Sequence, residues 1–233
     1  MKLRPLLTEL FNKAITEKMI VKKLNSSAYA KIVAAAYDDA PVNDPEASAA
    51  YSALNSSNHT LFQRLLSRIE IIFTTEGEPP SDTISVAGKD YKLIQHNDPY
   101  ETADQMAADV KQNKKLMISI DYSNHPYFSV EDNIIFRSVH DYIVHILGKK
   151  PFGLYGELQA YNLHAKLVPP AARAAIFTEV VGQVCWQQVH GDFPAQKAAI
   201  LHGFDYIRVG DVSQETIDKY GKPETNEHYK RSF

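Results

Sequence analysis

The chain holds one cysteine, Cys185, in 233 residues. One thiol closes no disulfide within a chain and builds no cysteine-based zinc site. It lies in an apolar helical setting, VGQVCWQQ, which predicts a buried, inert thiol rather than a nucleophile. The 10 glycines are dispersed, so no glycine-rich loop cradles a phosphate, and no G-x-S-x-G elbow appears. No apolar run approaches the length of a membrane span. The first 19 residues lack the long apolar stretch of a signal peptide, so an intracellular protein is expected. Basic excess is missing too. Lys and Arg number 25 against 28 Asp and Glu, a net charge of −3, which gives no strong nucleic-acid signature. Two small lysine clusters, Lys18/Lys22/Lys23 and Lys111/Lys114/Lys115, read as solvated surface.

What is present is an ordinary globular composition, 44% hydrophobic and 23% charged. The periodicity predicts an α+β fold, mainly helical, with a small antiparallel or mixed sheet and a helical C-terminal half. Helices are expected over residues 6–24, 28–37 and from Pro45 to about Arg68, with a break near Asn55–Asn58. Asp44 is the expected N-cap of the third, with Pro45 in its first turn. The run IEIIFTT (69–75) and LMISID (116–121) read as strands, and 83–86 with 91–95 as a hairpin. A helix is expected at 99–112. From Ser129, where Asp132 completes a capping box, helices are expected to about Leu147, over 154–167 and over 171–189. A short helix at 195–202 and a last strand at 204–209 follow. One domain over 1–210 and a polar tail over 211–233 is the simplest organisation.

The chemistry concentrates in residues 136–183, which carry His140, Asp141, His145, Glu157, His164, Glu179 and Gln183. Polar and ionisable groups set in apolar helices are costly unless paired or bound to metal. Asp141 and His145 share one helical face, with His140 rotated about 100° from Asp141. Glu157 and His164 stack two turns apart, and Glu179 and Gln183 share a third face that Trp186 continues. Imidazoles and carboxylates converging between helices suit a divalent Fe, Mn or Zn ion with open positions for water or substrate. His140, His145, Glu157 and His164 are the expected ligands. Glu179, Gln183 and Asp141 are the expected catalytic groups, with Asp141 orienting an imidazole. A buried structural ion-pair network, with Arg137 as partner of Asp141 or Glu179, accounts for the same residues without metal.

At these residues the chain resembles a family of uncharacterised proteins encoded by bacteriophages and mobile elements. The pattern is HP (His125-Pro126), N-x-x-FR-x-VHD-x-x-x-H (Asn133 to His145), GE-x-x-A-x-x-x-H (Gly156 to His164) and TE-x-x-GQ (Thr178 to Gln183). The resemblance implies a phage setting, in the host cytoplasm or on the virion, and supports the site. With the His/Asp/Glu set read as a metal site, the leading expectation is a phage-encoded metal-dependent hydrolase acting on a small-molecule or nucleotide-related substrate. The D-x3-H and E-x6-H spacings are also similar to the ligand kit of haem-oxygenase-like di-iron proteins, which gives an oxygenase as a further reading. A non-enzymatic virion component or inhibitor of a host system, with a structural polar network, is the alternative from another class.

Overall fold

The computed structural model describes residues 21–221. The expected helix at 6–24 lies mostly outside them, and its end is instead a strand, β1 (Val21–Lys23). Helix α1 (Ser26–Asp39) follows, with the Asn25 side chain accepting from the Ala28 N–H. A short 3₁₀ turn (Pro45–Ala47), capped by Asp44, leads into α2 (Ser48–Leu66). No break occurs at Asn55–Asn58; the helix runs through them.

The sheet comes next: β2 (Glu70–Thr75), β3 (Thr83–Val86) and β4 (Lys89–Gln95), then α3 (Ala103–Asn113) and β5 (Lys115–Ser119). The strand order is β3-β4-β2-β5. β3 and β4 form the antiparallel hairpin, turning at Ala87-Gly88, both with positive φ. β2 is parallel to β4 and to β5, with Ile71 opposite Leu116 and Phe73 opposite Leu93. Its residues Ile71 to Thr74 are all buried, as expected of a strand covered on both faces.

The C-terminal half is α4 (Val130–Asp141), α5 (Leu154–His164), α6 (Arg173–Ile176) and α7 (Gln183–His190). The capping box at Ser129 and Asp132 is formed in both directions. The expected helix at 195–202 and strand at 204–209 are absent. That stretch is irregular, tied down by an isolated bridge between Asn43 and Ala198 and another between Phe204 and Val212. The regular structure comes later. Residues 211–221, read from sequence as the start of a polar tail, form β6 (Asp211–Ser213), antiparallel to β1, and α8 (Gln214–Tyr220). Val212, Ser213 and Thr216 are buried there.

Two apolar clusters organise these elements. One lies among the helices and holds Tyr51, Leu54, Phe136, Tyr161 and Phe177. The other lies on the sheet and holds Phe62, Leu65, Phe73, Ile135 and Val139. Helices α2 and α4 contribute to both, so they form the wall between them. Of the polar residues, Asn58, His140 and Asp141 lie on these two helices. Among the described residues no helix is long and apolar enough to cross a membrane.

Candidate metal centre

Helix α4 does not end at Asp141. It widens into a π turn over Tyr142–Leu147, in which the Gly148 N–H reaches back five residues to the Ile143 carbonyl at 2.9 Å. The widening decides the site. In an unbroken α-helix, residues five apart point about 140° away from one another. The larger π turn carries the fifth residue back toward the first. His140 and His145 thereby face the same partner, with ring centroids 5.4 Å apart.

That partner is Glu157, in the first turn of α5. Its Oε2 lies 3.2 Å from His140 Nε2 and its Oε1 3.2 Å from His145 Nε2. Gly156 makes the approach possible, because a Cβ there would lie 1.8 Å from the Pro151 carbonyl oxygen. Asp141 completes the group: ligand atoms of His140, Asp141 and His145 lie within 4.8 Å of one another, a set that can hold a metal ion. Asp141 takes part in no hydrogen bond to an imidazole among the described residues, so the orienting role expected of it is not seen. The orienting group for His145 is the Lys150 carbonyl, 2.7 Å from its Nδ1. Phe152 packs edge-on against the same ring at 4.7 Å.

The electrostatics favour the Glu157–imidazole pairing and disfavour charge on Asp141. Burial pushes Glu157 up, but hydrogen bonds and charge from His140 and His145 outweigh it and bring its pKa down to about 2. Burial pushes His145 down, yet Glu157, Asp141 and the Lys150 carbonyl together raise it above its usual value. Asp141 is raised by burial, against the pull of His140 and His145. Two carboxylates thus share a largely buried space with two imidazoles. The Glu157 and His140 side chains are 16% and 11% exposed, so solvent reaches the group.

His164 stands one imidazole further in. It is fully buried, with Nδ1 3.4 Å from His140 Nδ1 and Nε2 3.2 Å from the side-chain oxygen of Asn58 on α2. Burial and the charge of His140 hold its pKa well below the usual value. It does not touch Glu157 among the contacts of the described residues.

Glu179 and Gln183 form a second centre. A π turn over Phe177–Gly182 joins α6 to α7 and carries Glu179. Its Oε1 accepts from the Tyr51 hydroxyl at 2.5 Å and from His125 Nε2 at 3.1 Å; its Oε2 accepts from Gln183 Nε2 at 2.8 Å. His125 Nδ1 accepts the backbone N–H groups of Tyr127 and Phe128 at 3.0 and 2.9 Å. Its proton is therefore on Nε2, donated to Glu179. Phe128 and Phe136 lie between the centres: His125 stacks on Phe128, Phe128 on Phe136, and Phe136 on both His140 and His164. Arg137 pairs with neither carboxylate. Its guanidinium donates to the carbonyls of Ser119, Asp121 and Tyr122 at the end of β5. Trp186 is elsewhere, donating to Asp38.

Sequence reasoning missed Tyr51 and Asn58. They are seven residues apart on α2, hence on one face and roughly 10 Å apart along the axis. Tyr51 serves Glu179 and Asn58 serves His164. The polar tetrad Asn55–Asn58 inside an otherwise helical pattern was the available signal. Comparison with protein-family models, with curated proteins and with solved structures gives no match to this chain.

Proposed function

We propose that this chain is a metal-dependent hydrolase of bacteriophage or mobile-element origin, with a divalent ion held by His140, His145 and Glu157 beside Asp141. One observation carries the reading: two imidazole Nε2 atoms converge on the two oxygens of one carboxylate, with a second carboxylate alongside that accepts no hydrogen bond from a described residue. Such a set needs positive charge in its midst. Protons supply it when bound to the imidazoles, and a divalent ion supplies it better. Nitrogen and carboxylate donors suit zinc, manganese and iron.

The two carboxylates divide the labour. Glu157, held down to about 2, stays an anionic ligand. Asp141, raised by burial, would be the group to hold a proton beside a bound ion. Partial exposure of the Glu157 and His140 side chains gives water access to the group, which a closed structural site would deny. A metal ion here supplies a hydroxide nucleophile near neutral pH.

Elemental analysis of untagged protein, followed by zinc and manganese titration, tests this. Stoichiometric binding that His145→Ala abolishes is the expected result. Trace metal in the purified protein, with no thermal stabilisation by either ion, overturns it.

A further inference from the structure

His164 was expected among the metal ligands, yet both of its nitrogens are already engaged, one by His140 and one by Asn58. We propose that Asn58 and His164 form a positioning relay that fixes which nitrogen of His140 faces the ion. The inference rests on the metal reading and extends it.

When His140 Nε2 binds an ion, its remaining proton is on Nδ1. That N–H needs an acceptor, since a buried donor without one is costly. The atom in reach is His164 Nδ1, at 3.4 Å. To accept there, His164 is neutral and carries its own proton on Nε2. That second N–H in turn needs an acceptor, and the Asn58 oxygen lies 3.2 Å away. The donors therefore run in one direction: His140 Nδ1–H to His164, His164 Nε2–H to Asn58, lone pair of His140 Nε2 toward Glu157. Burial fits the arrangement, because Asn58 and His164 are both fully buried and cannot exchange these partners for water. Phe136 stacks on both rings, at 5.8 Å from His164 and 5.9 Å from His140, and holds their planes. His145 obtains the same service more simply, from the Lys150 carbonyl. The two facing imidazoles are thus oriented by two different devices, as ligating histidines generally are.

The test is zinc affinity of the full chain, read with ¹⁵N NMR of the imidazoles in the zinc-loaded protein. Asn58→Leu and His164→Phe are expected to weaken zinc roughly 10- to 100-fold, the usual effect of losing such a partner. Asn58→Asp, which keeps an acceptor, should hold or tighten affinity, and His164→Gln should recover part of the loss through its amide oxygen. The wild-type spectrum should place protons on His140 Nδ1 and His164 Nε2. Should either large substitution not fold, the Asn58→Asp affinity and the wild-type tautomers still decide. No zinc binding by the wild type overturns the metal reading and the relay with it. Wild-type binding with affinity within twofold in the Asn58→Leu protein, or a His164 proton on Nδ1, overturns the relay alone.

Discussion

The two polar centres use the same residue types and reach opposite states. Around Glu179 every hydrogen bond has a matched partner: three neutral donors converge on one carboxylate, and His125 is itself locked by two backbone N–H groups. Around Glu157 two imidazoles share one carboxylate, whose pKa they draw down to about 2, and Asp141 beside them accepts from no donor among the described residues. A satisfied buried network rigidifies a fold. An unsatisfied one stores free energy that a ligand can release. Histidine and glutamate in a helix do not by themselves say which is present; only the partner count does.

The sharpest way to break the contrast is to truncate each carboxylate. Glu179→Ala strands the Tyr51 hydroxyl, the His125 N–H and the Gln183 amide in a buried space, and should cost about 3–5 kcal/mol. Glu157→Ala removes the carboxylate that His140 and His145 share, but that group is partly exposed and water can take its place, so it should cost less, while abolishing metal binding. Urea denaturation of both variants, without metal, measures the difference. Equal losses would mean that both centres are structural.

Metal addition comes next. A divalent ion at 100 times its dissociation constant should stabilise the wild type by about 2.7 kcal/mol. Tyr51→Phe should leave that increment untouched while lowering the metal-free stability by roughly 2 kcal/mol, the worth of one hydrogen bond to a buried charge. Calorimetry with and without zinc separates the two effects. A Tyr51→Phe protein that loses zinc binding would join the centres into one.

Much of the fold was legible before the structure. The helix expected over 28–37 is α1; caps marked the Asp44–Pro45 turn and the Ser129 capping box, and β-branched runs marked β2 and β5. The π turns were not legible, because inserting one residue into a helix leaves no compositional trace. That is why His140 was placed off the face of His145, which it in fact shares through Glu157. Glu179 was grouped with the imidazoles because helical angle is readable from spacing and height along a neighbouring helix is not. The stretch 195–209 misled through its apolar content: Ala198, Leu201 and Phe204 are buried without forming an element. Asn58 was taken for a helix break, since nothing local announces the His164 that satisfies it.

The smallest expected effect is the dependence on pH, and its signs differ from residue to residue. His145 has a raised pKa, so its contribution is fully present below about 6.5 and is lost as pH rises through the folded value. His164 has a lowered one. Below about 6.5 the unfolded chain takes a proton that folded His164 refuses, so its contribution falls on the acid side. Glu157 acts lower still: its stabilisation is present above its unfolded value of about 4.5 and fades as pH falls toward about 2. The metal-free protein should therefore be most stable near neutral pH, losing stability on either side. Zinc inverts the alkaline limb. It competes with the proton on His145, so metal-derived stabilisation grows as pH rises through that histidine's folded value. Denaturation midpoints between about pH 5 and about pH 8, with and without zinc, trace both limbs. A zinc increment independent of pH would remove His145 from the ligand set.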